Sequence, residues 1–501
     1  MAYKHGPYAT RDIAGAKNTE LAQAAFVVFG TAPVHTVEGG AANVSVPVLV
    51  NDYPEAVAEF GYSDDWASFS LCEVMFHVLK EKGVGPLVLI NTFDPATHKE
   101  STGGTASLTP QNGRLVIADA ALIELDTVVI KTTAETPVTK VKGTDYAISY
   151  NSNTQTITAV ELTAGALGSA ALTVTWEIAK PSAVSNSDFI GSDDGNGLRT
   201  GVYAIRNVWQ LTGMIPSYMA APGWSCIPAI HEAMYEVSQG INGHWDAFMF
   251  TDIPIVDSNS TPITLSTAYT WKMTNGYNKT NEKPSFPMIE GKDGKKYHLS
   301  TLRMANFLQL LIANDGVPYY SDSNTEIPIA KNLWLGASAA GRVYDDKMIN
   351  EKLCQNGIAG ACWVGYWATW GAHAGDYDQS NKDEVNVADT NMMMLMYCTN
   401  DFQLRHFEDT DKPKSPNDIR AMAQDEQTIM DRRVSAGQLT YGNVQIRSDA
   451  IARSDMYNGD YMFTIEVSTT PLMKSITADV VWTDEGYAAY YAGINEAEGG
   501  E

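Results

Sequence analysis

Two segments of the chain contain serines in settings that could support nucleophilic chemistry. Ser225 lies in Gly-Trp-Ser-Cys-Ile-Pro (223–228), directly before a predicted helix whose free backbone N–H groups could stabilise an oxyanion. Ser338 lies in Gly-Ala-Ser-Ala-Ala (336–340), which lacks the second glycine of the Gly-x-Ser-x-Gly turn of hydrolases. A serine before a helix more commonly caps it, and the sequence alone places no histidine and aspartate beside Ser225. We therefore predict no catalytic residue, and a serine hydrolase that uses Ser225 is the alternative function.

Metal and phosphate motifs are incomplete. His231 and Glu232 begin a zinc-like motif, but Tyr235 stands where that motif needs its second histidine. The acidic loop 376–384 lacks the sixth-position glycine of a calcium-binding EF-hand loop, so we predict a solvated loop and leave cation binding open. The lysine-rich segment 291–296 has the wrong spacing for a phosphate-binding loop and predicts a hairpin turn. The sequence therefore predicts no metal site and no cofactor.

The charge balance restricts the classes of partner. The 501 residues contain 34 Lys and Arg against 59 Asp and Glu, a formal net charge of −25. Such a surface repels phosphate backbones and anionic lipids, so we predict no direct binding of nucleic acid. The uncharged stretch 357–375 is long enough to span a bilayer, but it contains five glycines and a histidine. We predict a buried strand and a glycine-rich loop there, and no membrane span.

Apolar periodicity predicts an α/β part at 19–100, after an N-terminal arm at 1–18 that has few large apolar side chains. Its predicted elements are strands at 24–32, 46–50 and 84–90, a short helix that follows Asn51-Asp52 and ends at Gly61, and a helix at 64–82.

The next segment, 101–184, has a different composition. It contains fifteen threonines and no Met, His or Cys. Short alternating runs separated by turn residues predict an inserted all-β sandwich. The predicted strands are 114–117, 127–132, 146–150, 155–160 and 171–178.

Helix and strand patterns alternate again in a middle α/β domain at 185–375, followed by an α+β C-terminal domain at 385–483. The tail, 484–501, carries five acids and no base. Helices are predicted at 203–211, 227–239, 299–312, 392–404 and 417–434, and strands at 217–221, 245–251, 331–337, 358–367, 444–447, 460–468 and 476–482.

Several segments, in this order, are similar to those of one protein family. They are 3–8 (YKHGPY), 47–50 (PVLV) with 55–61, 84–91 (VGPLVLIN) with 93–95 (FDP), 221–225 (APGWS), 353–358 (LCQNGI) and 370–371 (WG). On these segments the chain resembles a contractile phage tail sheath protein, of a phage tail or a phage-derived contractile injection system.

That resemblance implies a fold and a mechanism. The fold is multidomain α/β and α+β, with a subtilisin-like α/β middle domain that carries the β-sandwich, an α+β C-terminal sheath domain and extended terminal arms. The protein would be a structural subunit and not an enzyme, polymerising helically around a tail tube and contracting to drive the tube through the target cell envelope. The arms would add as strands to the C-terminal sheets of neighbouring subunits. The implied arm contacts are Tyr3, His5, Pro7, Tyr8, Ile13, Ile476, Val480 and Trp482.

The resemblance also implies partners and a location. The partners are further copies of the chain, a tail tube protein, and baseplate and tail terminator proteins. The location is the virion tail or a phage-like particle, assembled in the cytoplasm of the bacterial host. A third interpretation is a carbohydrate-binding or adhesin-like protein that presents the β insertion.

Overall fold

A computed structural model describes residues 24–380, 383–447 and 459–498. The predicted arm 1–18, with Tyr3, His5, Pro7, Tyr8 and Ile13, lies outside the described residues. The strands are β1 (Ala24–Gly30), β2 (Val48–Val50), β3 (Leu87–Asn91), β4 (Gly104–Leu108), β5 (Arg114–Ile117), β6 (Val129–Thr132), β7 (Tyr146–Asn151), β8 (Thr156–Glu161), β9 (Leu172–Trp176), β10 (Ile215–Ala220), β11 (Phe248–Asp252), β12 (Glu282–Ser285), β13 (Met288–Gly291), β14 (Lys296–Tyr297), β15 (Ala330–Trp334), β16 (Gly360–Trp363), β17 (Trp367–Trp370), β18 (Leu439–Ile446) and β19 (Phe463–Thr469). The helices are α1 (Tyr53–Phe60), α2 (Leu71–Val74, continued by a π-helix at Met75–Glu81), α3 (Asn186–Ile190), α4 (Val208–Thr212), α5 (Pro228–Val237), α6 (Ala268–Thr274), α7 (Leu299–Ala313), α8 (Asp346–Lys352), α9 (Asp389–His406), α10 (Pro416–Ser435) and α11 (Glu485–Glu498).

A central sheet of six strands organises the α/β part, in the order β12-β11-β10-β1-β3-β2. β1 pairs in parallel with β10 and β3, and β2 runs antiparallel to β3. Side chains of β1 alternate between two cores. Phe26 and Val28 face a core with α1, α2 and α7, whereas Val27 and Phe29 face a second core with α3 and α5. Because helices cover both faces, β1 is a continuous apolar run, as a buried parallel strand must be.

Local sequence determines where α1 begins and ends. The Asp52 side chain accepts a hydrogen bond of 2.9 Å from the Glu55 N–H, and Pro54 occupies the first turn. Gly61 ends the helix at a φ of 72°, which glycine adopts without strain. The prediction for α1 is confirmed. The helix predicted to begin at residue 64 instead begins at Leu71, because residues 64–70 form turns.

Residues 104–176 form two three-stranded antiparallel sheets, β4-β9-β6 and β5-β8-β7. Their inward side chains share one buried core, which includes Ile117, Ile130, Ile157 and Val174. The strands predicted from alternation are confirmed. β4 was missed because Gly-Thr-Ala-Ser-Leu contains a single large apolar residue.

Three short antiparallel sheets complete the compact unit, which ends at Thr469. The predicted turn at 291–296 is confirmed, since it connects β13 to β14. The single strand predicted at 358–367 is wrong: the segment contributes to a hairpin of β16 and β17, which turns at Gly365 with a φ of 100°. β18 and β19 form a C-terminal hairpin that packs with Met394 of α9 and Met430 of α10.

Residues from Thr470 onward belong to a second unit. Residues 470–484 have no regular secondary structure, so the strand predicted at 476–482 is wrong for the isolated chain. A strand needs a neighbouring strand for its backbone hydrogen bonds, and no described strand pairs with residues 476–482. The acidic tail, for which no helix was predicted, contains α11.

Candidate functional site

Ser225 is a buried structural hydroxyl. Its Oγ accepts a hydrogen bond of 3.2 Å from the backbone N–H of Asp252, at the end of β11. Its carbonyl accepts a hydrogen bond of 2.7 Å from the Tyr277 hydroxyl. Among the described residues no hydrogen bond joins Ser225 to a histidine. Ser225 therefore fixes the loop before α5 to the sheet, whereas Ser338 is exposed in a short 3₁₀ turn.

His298, which the sequence analysis did not select, lies beside Asp252. It directly precedes α7, and its Nδ1 lies 2.7 Å from one carboxylate oxygen of Glu73 in α2. The other Glu73 oxygen accepts a hydrogen bond of 2.8 Å from the His298 N–H. Asp252 accepts hydrogen bonds from the N–H of Ser300, at 3.0 Å, and from its hydroxyl. The carboxyl end of β11 is thus joined to α2 and to the start of α7.

Charge interactions decide the protonation of this network. Burial alone would lower the pKa of His298, but the Glu73 carboxylate, with Asp252, raises that pKa to about 9. Burial raises the pKa of Asp252, although His298 and Ser300 oppose that effect. At neutral pH His298 is therefore a cation, and a cationic imidazole cannot accept a proton from a serine.

We expect His298 to make the stability of the protein depend on alkaline pH. The ordinary pKa of 6.5 applies to the unfolded chain, so the stabilisation is complete below pH 6.5 and is lost as the pH rises through about 9. This shift corresponds to roughly 3 kcal/mol. The melting temperature of His298→Gln should lie several degrees below wild type at pH 6 and approach it by pH 10. His244→Gln, at an exposed position, should follow the wild-type profile. A constant gap for His298→Gln at every pH would contradict the assignment.

Four fully buried charged side chains form what we call the buried ionic cluster: Lys283 of β12, Arg303 of α7, Asp322 of the loop after α7, and Asp389 at the start of α9. Lys283 Nζ lies 2.7 Å from Asp322 Oδ1 and also contacts Asp389. Arg303 Nε lies 2.8 Å from Asp322 Oδ2, and a further guanidinium N–H donates to the Gly371 carbonyl at 2.8 Å. Two cations and two anions therefore neutralise each other, and they join the sheet, α7 and α9.

The other candidates from the sequence make structural contacts. His231 is buried, with Nε2 2.6 Å from Glu282 Oε2. In the acidic loop, Asp378 accepts hydrogen bonds from the hydroxyls of Tyr269 and Ser380. Across residues 24–380, 383–447 and 459–498, no group of three or more His, Cys, Asp or Glu is placed to hold a metal ion. No helix in the described chain has the length and apolar character needed to cross a bilayer.

The C-terminal hairpin has no further strand beside it among the described residues. β18 and β19 pair with each other over seven registered residue pairs, and no third described strand pairs with either. A two-stranded sheet is only marginally stable by itself. On β18 the Gln427 side chain of α10 accepts a hydrogen bond of 2.8 Å from the Val444 N–H and donates one of 3.0 Å to the Gly442 carbonyl, so the edge to which a further strand could add is that of β19.

Residues 476–482 have the alternating side-chain pattern of a strand, although no described strand pairs with them. If it were extended, Ile476, Val480 and Trp482 would share one face. In the described structure these side chains are 83%, 91% and 77% exposed. The N-terminal contacts predicted from the sequence lie outside the described residues; they are Tyr3, His5, Pro7, Tyr8 and Ile13. The structure therefore describes only the C-terminal three, Ile476, Val480 and Trp482.

The sequence of the chain is similar to that of a known tail sheath protein. The chain is 27% identical over 224 residues to the tail sheath protein of Burkholderia phage BcepMu, a match over 44% of this chain and 43% of that protein. The chain therefore matches less than half of that relative's length. The predicted resemblance to tail sheath proteins is confirmed. No protein-family model matches the chain.

Two solved structures share the fold. The PVC sheath complex of an extracellular contractile injection system, in the contracted state, matches with a TM-score of 0.52 at 9% identity, over 97% of this chain and 99% of that chain. The sheath tail protein of Desulfitobacterium hafniense matches with a TM-score of 0.51 at 10% identity, over 93% of this chain and 100% of that chain. These two matches show that the chain has the fold of those sheath proteins.

Proposed function

We propose that this protein is the structural subunit of a contractile tail sheath. It polymerises helically around a tail tube and contracts to drive the tube through a target cell envelope. The observation that carries the proposal is the fold match to two sheath proteins over more than nine-tenths of the chain. The buried Ser225 and the cationic His298 give the hydrolase alternative no support.

The subunits are linked by exchanged strands. The edge of β19 supplies acceptors and donors, and the segment 476–482, which pairs with no described strand, supplies the strand that is added. Strand addition forms backbone hydrogen bonds between the hairpin of one subunit and the added segment of its neighbour, and it leaves the rest of each subunit free to rotate. The N-terminal arm, 1–18, would occupy another edge position, through Tyr3, His5, Pro7, Tyr8 and Ile13. A subunit that donates a strand to its neighbour makes a head-to-tail contact, and repeated head-to-tail contacts build open helical polymers.

The remaining partners and the location belong to the same proposal. A tail tube protein acts as the template for the polymer, and baseplate and terminator proteins lie at its two ends. Assembly takes place in the cytoplasm of the bacterial host, and the product is a virion tail or phage-like particle. The matches to a phage sheath and to an injection-system sheath complex support this assignment.

Electron microscopy tests the function directly. Purified protein, at high concentration or mixed with its tube protein, should form tubes with a helical repeat. Dispersed monomers under both conditions would contradict the proposal.

Deletion of residues 2–15 should leave a folded subunit that builds no contractile sheath. This segment has few large apolar side chains, so its own burial cannot offset an ordering entropy of about 1–2 kcal/mol per residue. We expect a near-normal melting temperature and no tubes in micrographs with the tube protein. Contractile tubes from the truncated chain would rule out the arm as a linker.

We also propose the domain division predicted above, with 101–184 as an insertion into a subtilisin-like α/β domain. The separate core of β4–β9 supports it, because Ile130 and Ile157 pack within that core and not against the central sheet. Ala179 and Val184 pack in the core with α1, α2 and α7, so the part that can be removed is 104–176, whose end residues Gly104 and Trp176 are paired. Replacement of 104–176 by a short Gly/Ser linker should leave tube assembly intact. Tubes seen by microscopy are the expected result, and an insoluble product would show that the insertion belongs to the core.

A further inference from the structure

One side of α11, which we call the tyrosine face, carries four large side chains that are exposed to solvent. They are Tyr487, Tyr490, Tyr491 and Ile494, which are 53%, 65%, 61% and 43% exposed. Their spacing of three and four residues places them together along one side of the helix. A helix of 14 residues is only marginally stable by itself in water. The tyrosine face is therefore suited to pack against another surface.

Trp482 connects α11 to the segment that we propose adds to a neighbouring subunit. The helix begins at the third residue after Trp482, and the ring centroids of Trp482 and Tyr487 lie 6.4 Å apart. Five residues of chain span at most about 18 Å, so α11 begins near whichever surface binds Trp482. Under the proposed strand exchange, that surface belongs to the copy that receives residues 476–482.

The receiving copy has exposed apolar side chains at the amino-terminal end of its β19. Tyr461 and Met462 directly precede Phe463, the first residue of that strand, and they are 44% and 48% exposed. The Met462 carbonyl accepts a hydrogen bond of 2.9 Å from the Arg447 N–H, which joins this position to the chain that follows β18. Antiparallel pairing is slightly more stable per residue than parallel pairing. In an antiparallel addition to β19, the carboxyl end of the added segment lies next to Tyr461 and Met462.

We propose that the tyrosine face of α11 packs on Tyr461 and Met462 of the neighbouring copy that receives residues 476–482. The inference rests on the proposed function, because the exchange of strands brings these two surfaces together. Tyrosine rings bury large apolar areas, and the unbranched methionine side chain adapts its shape to them. The helix thus adds side-chain contacts to the backbone hydrogen bonds of the exchanged strand and holds that strand at its carboxyl end.

Cross-linking in assembled tubes tests the contact between copies. Tubes are built with the tube protein from an equal mixture of Tyr490→Cys chains and Met462→Cys chains, and they are treated with a short bismaleimide cross-linker. We expect cross-linked pairs of chains on a denaturing gel, well above the background that wild-type tubes give from the native cysteines. The matched mixture of Ala489→Cys and Met462→Cys chains places the thiol on the opposite side of α11 and should give few pairs. Tyr491→Cys replaces Tyr490→Cys if the latter does not assemble.

A second measurement needs no cross-linker. Tyr490→Gln combined with Tyr491→Gln keeps good helix formers but removes two rings, and it should raise the protein concentration needed for tubes about 10-fold. The control, Ala489→Gln combined with Ala492→Gln, changes the other side of the helix and should leave that concentration unchanged. An effect of the tyrosine variant that is confined to assembly around the tube protein would assign the face to that protein and overturn the inference.

The outcomes separate this inference from the proposed function. Tubes that give equal cross-linking for the mixtures with thiols at positions 490 and 489 would overturn the inference and leave the sheath proposal standing. Cross-linking within single chains of Tyr490→Cys/Met462→Cys, below the concentration at which tubes form, would place the tyrosine face on its own subunit and would also overturn it. If wild-type chains form no tubes, the proposed function fails, and the inference that rests on it fails as well.

Discussion

Asp322→Asn is expected to lower the free energy of unfolding by roughly 3–5 kcal/mol, the loss typical of removing one partner from a buried ion pair. Asp322 is the shared anion of the buried ionic cluster, 2.7 Å from Lys283 Nζ and 2.8 Å from Arg303 Nε. Burial alone would raise its pKa, yet Arg303 and Lys283 hold that pKa below the ordinary value. The amide leaves two buried cations opposite the single carboxylate of Asp389.

A surface ion pair provides the matched control. Lys347 and Glu351 lie one helical turn apart in α8, at 3.7 Å, with side chains 77% and 53% exposed. Glu351→Gln makes the same chemical change and should cost less than about 0.5 kcal/mol. Thermal or urea unfolding should show a clearly larger loss of unfolding free energy for Asp322→Asn than for Glu351→Gln. A cost of less than about 1 kcal/mol for Asp322→Asn would contradict the buried, paired cluster.

The cluster has a consequence for movement of subunits in the proposed sheath. It connects an edge strand of the central sheet to α7 and to the start of α9. Contraction in which subunits move as rigid bodies requires that force on the C-terminal helices reach the sheet without local unfolding. Asp322→Asn should therefore also produce subunits whose α9 exchanges amide hydrogens faster than wild type.

The elements that sequence predicts well are those whose partners lie close in the chain or whose pattern is unambiguous. β1 is a continuous apolar run, and α1 carries its own cap at Asp52 and its stop at Gly61. The strands around Ile130 and Ile157 alternate as half-buried strands do. Each of these features depends on short-range chemistry that the sequence displays directly.

The buried ionic cluster was not predictable in the same way. β12 is Glu-Lys-Pro-Ser, a composition typical of a loop, yet all four residues are buried. Its Lys283 is paired with residues 39 and 106 positions away, and Glu73 is paired with His298 across 225 positions. Only the tertiary fold brings such groups together, so local propensity gives no sign of them.

The segment 476–482 shows the opposite case, since its strand pattern is clear but no described strand pairs with it. Ile476→Asp combined with Val480→Asp should leave the melting temperature of the subunit unchanged and abolish tube formation. Both side chains are more than four-fifths exposed, so the monomer loses no buried contact when they are replaced.

The energetics of the proposed strand exchange explain why two side chains should decide assembly. Ordering a residue costs about 1–2 kcal/mol, and a backbone hydrogen bond contributes about 0.5–1.5 kcal/mol net, so the backbone terms nearly cancel. Burial of an Ile or Val side chain contributes about 1.5–3 kcal/mol, so it makes the addition of the strand favourable. Aspartates at both positions remove that contribution and place charges in the new interface.

Thr477→Asp combined with Thr483→Asp is the matched control, because it adds the same two charges to the alternate face of the same segment. The chain already carries a net charge of −25, so a general increase in repulsion would weaken both double variants equally. Melting temperatures and micrographs with the tube protein should show normal monomers throughout, and tubes from the threonine variant alone. Tubes from Ile476→Asp/Val480→Asp would exclude this face from the contact between subunits. Loss of tubes in both variants would assign the effect to the added negative charge. Both double variants add two carboxylates, whereas only Ile476→Asp/Val480→Asp removes large apolar side chains.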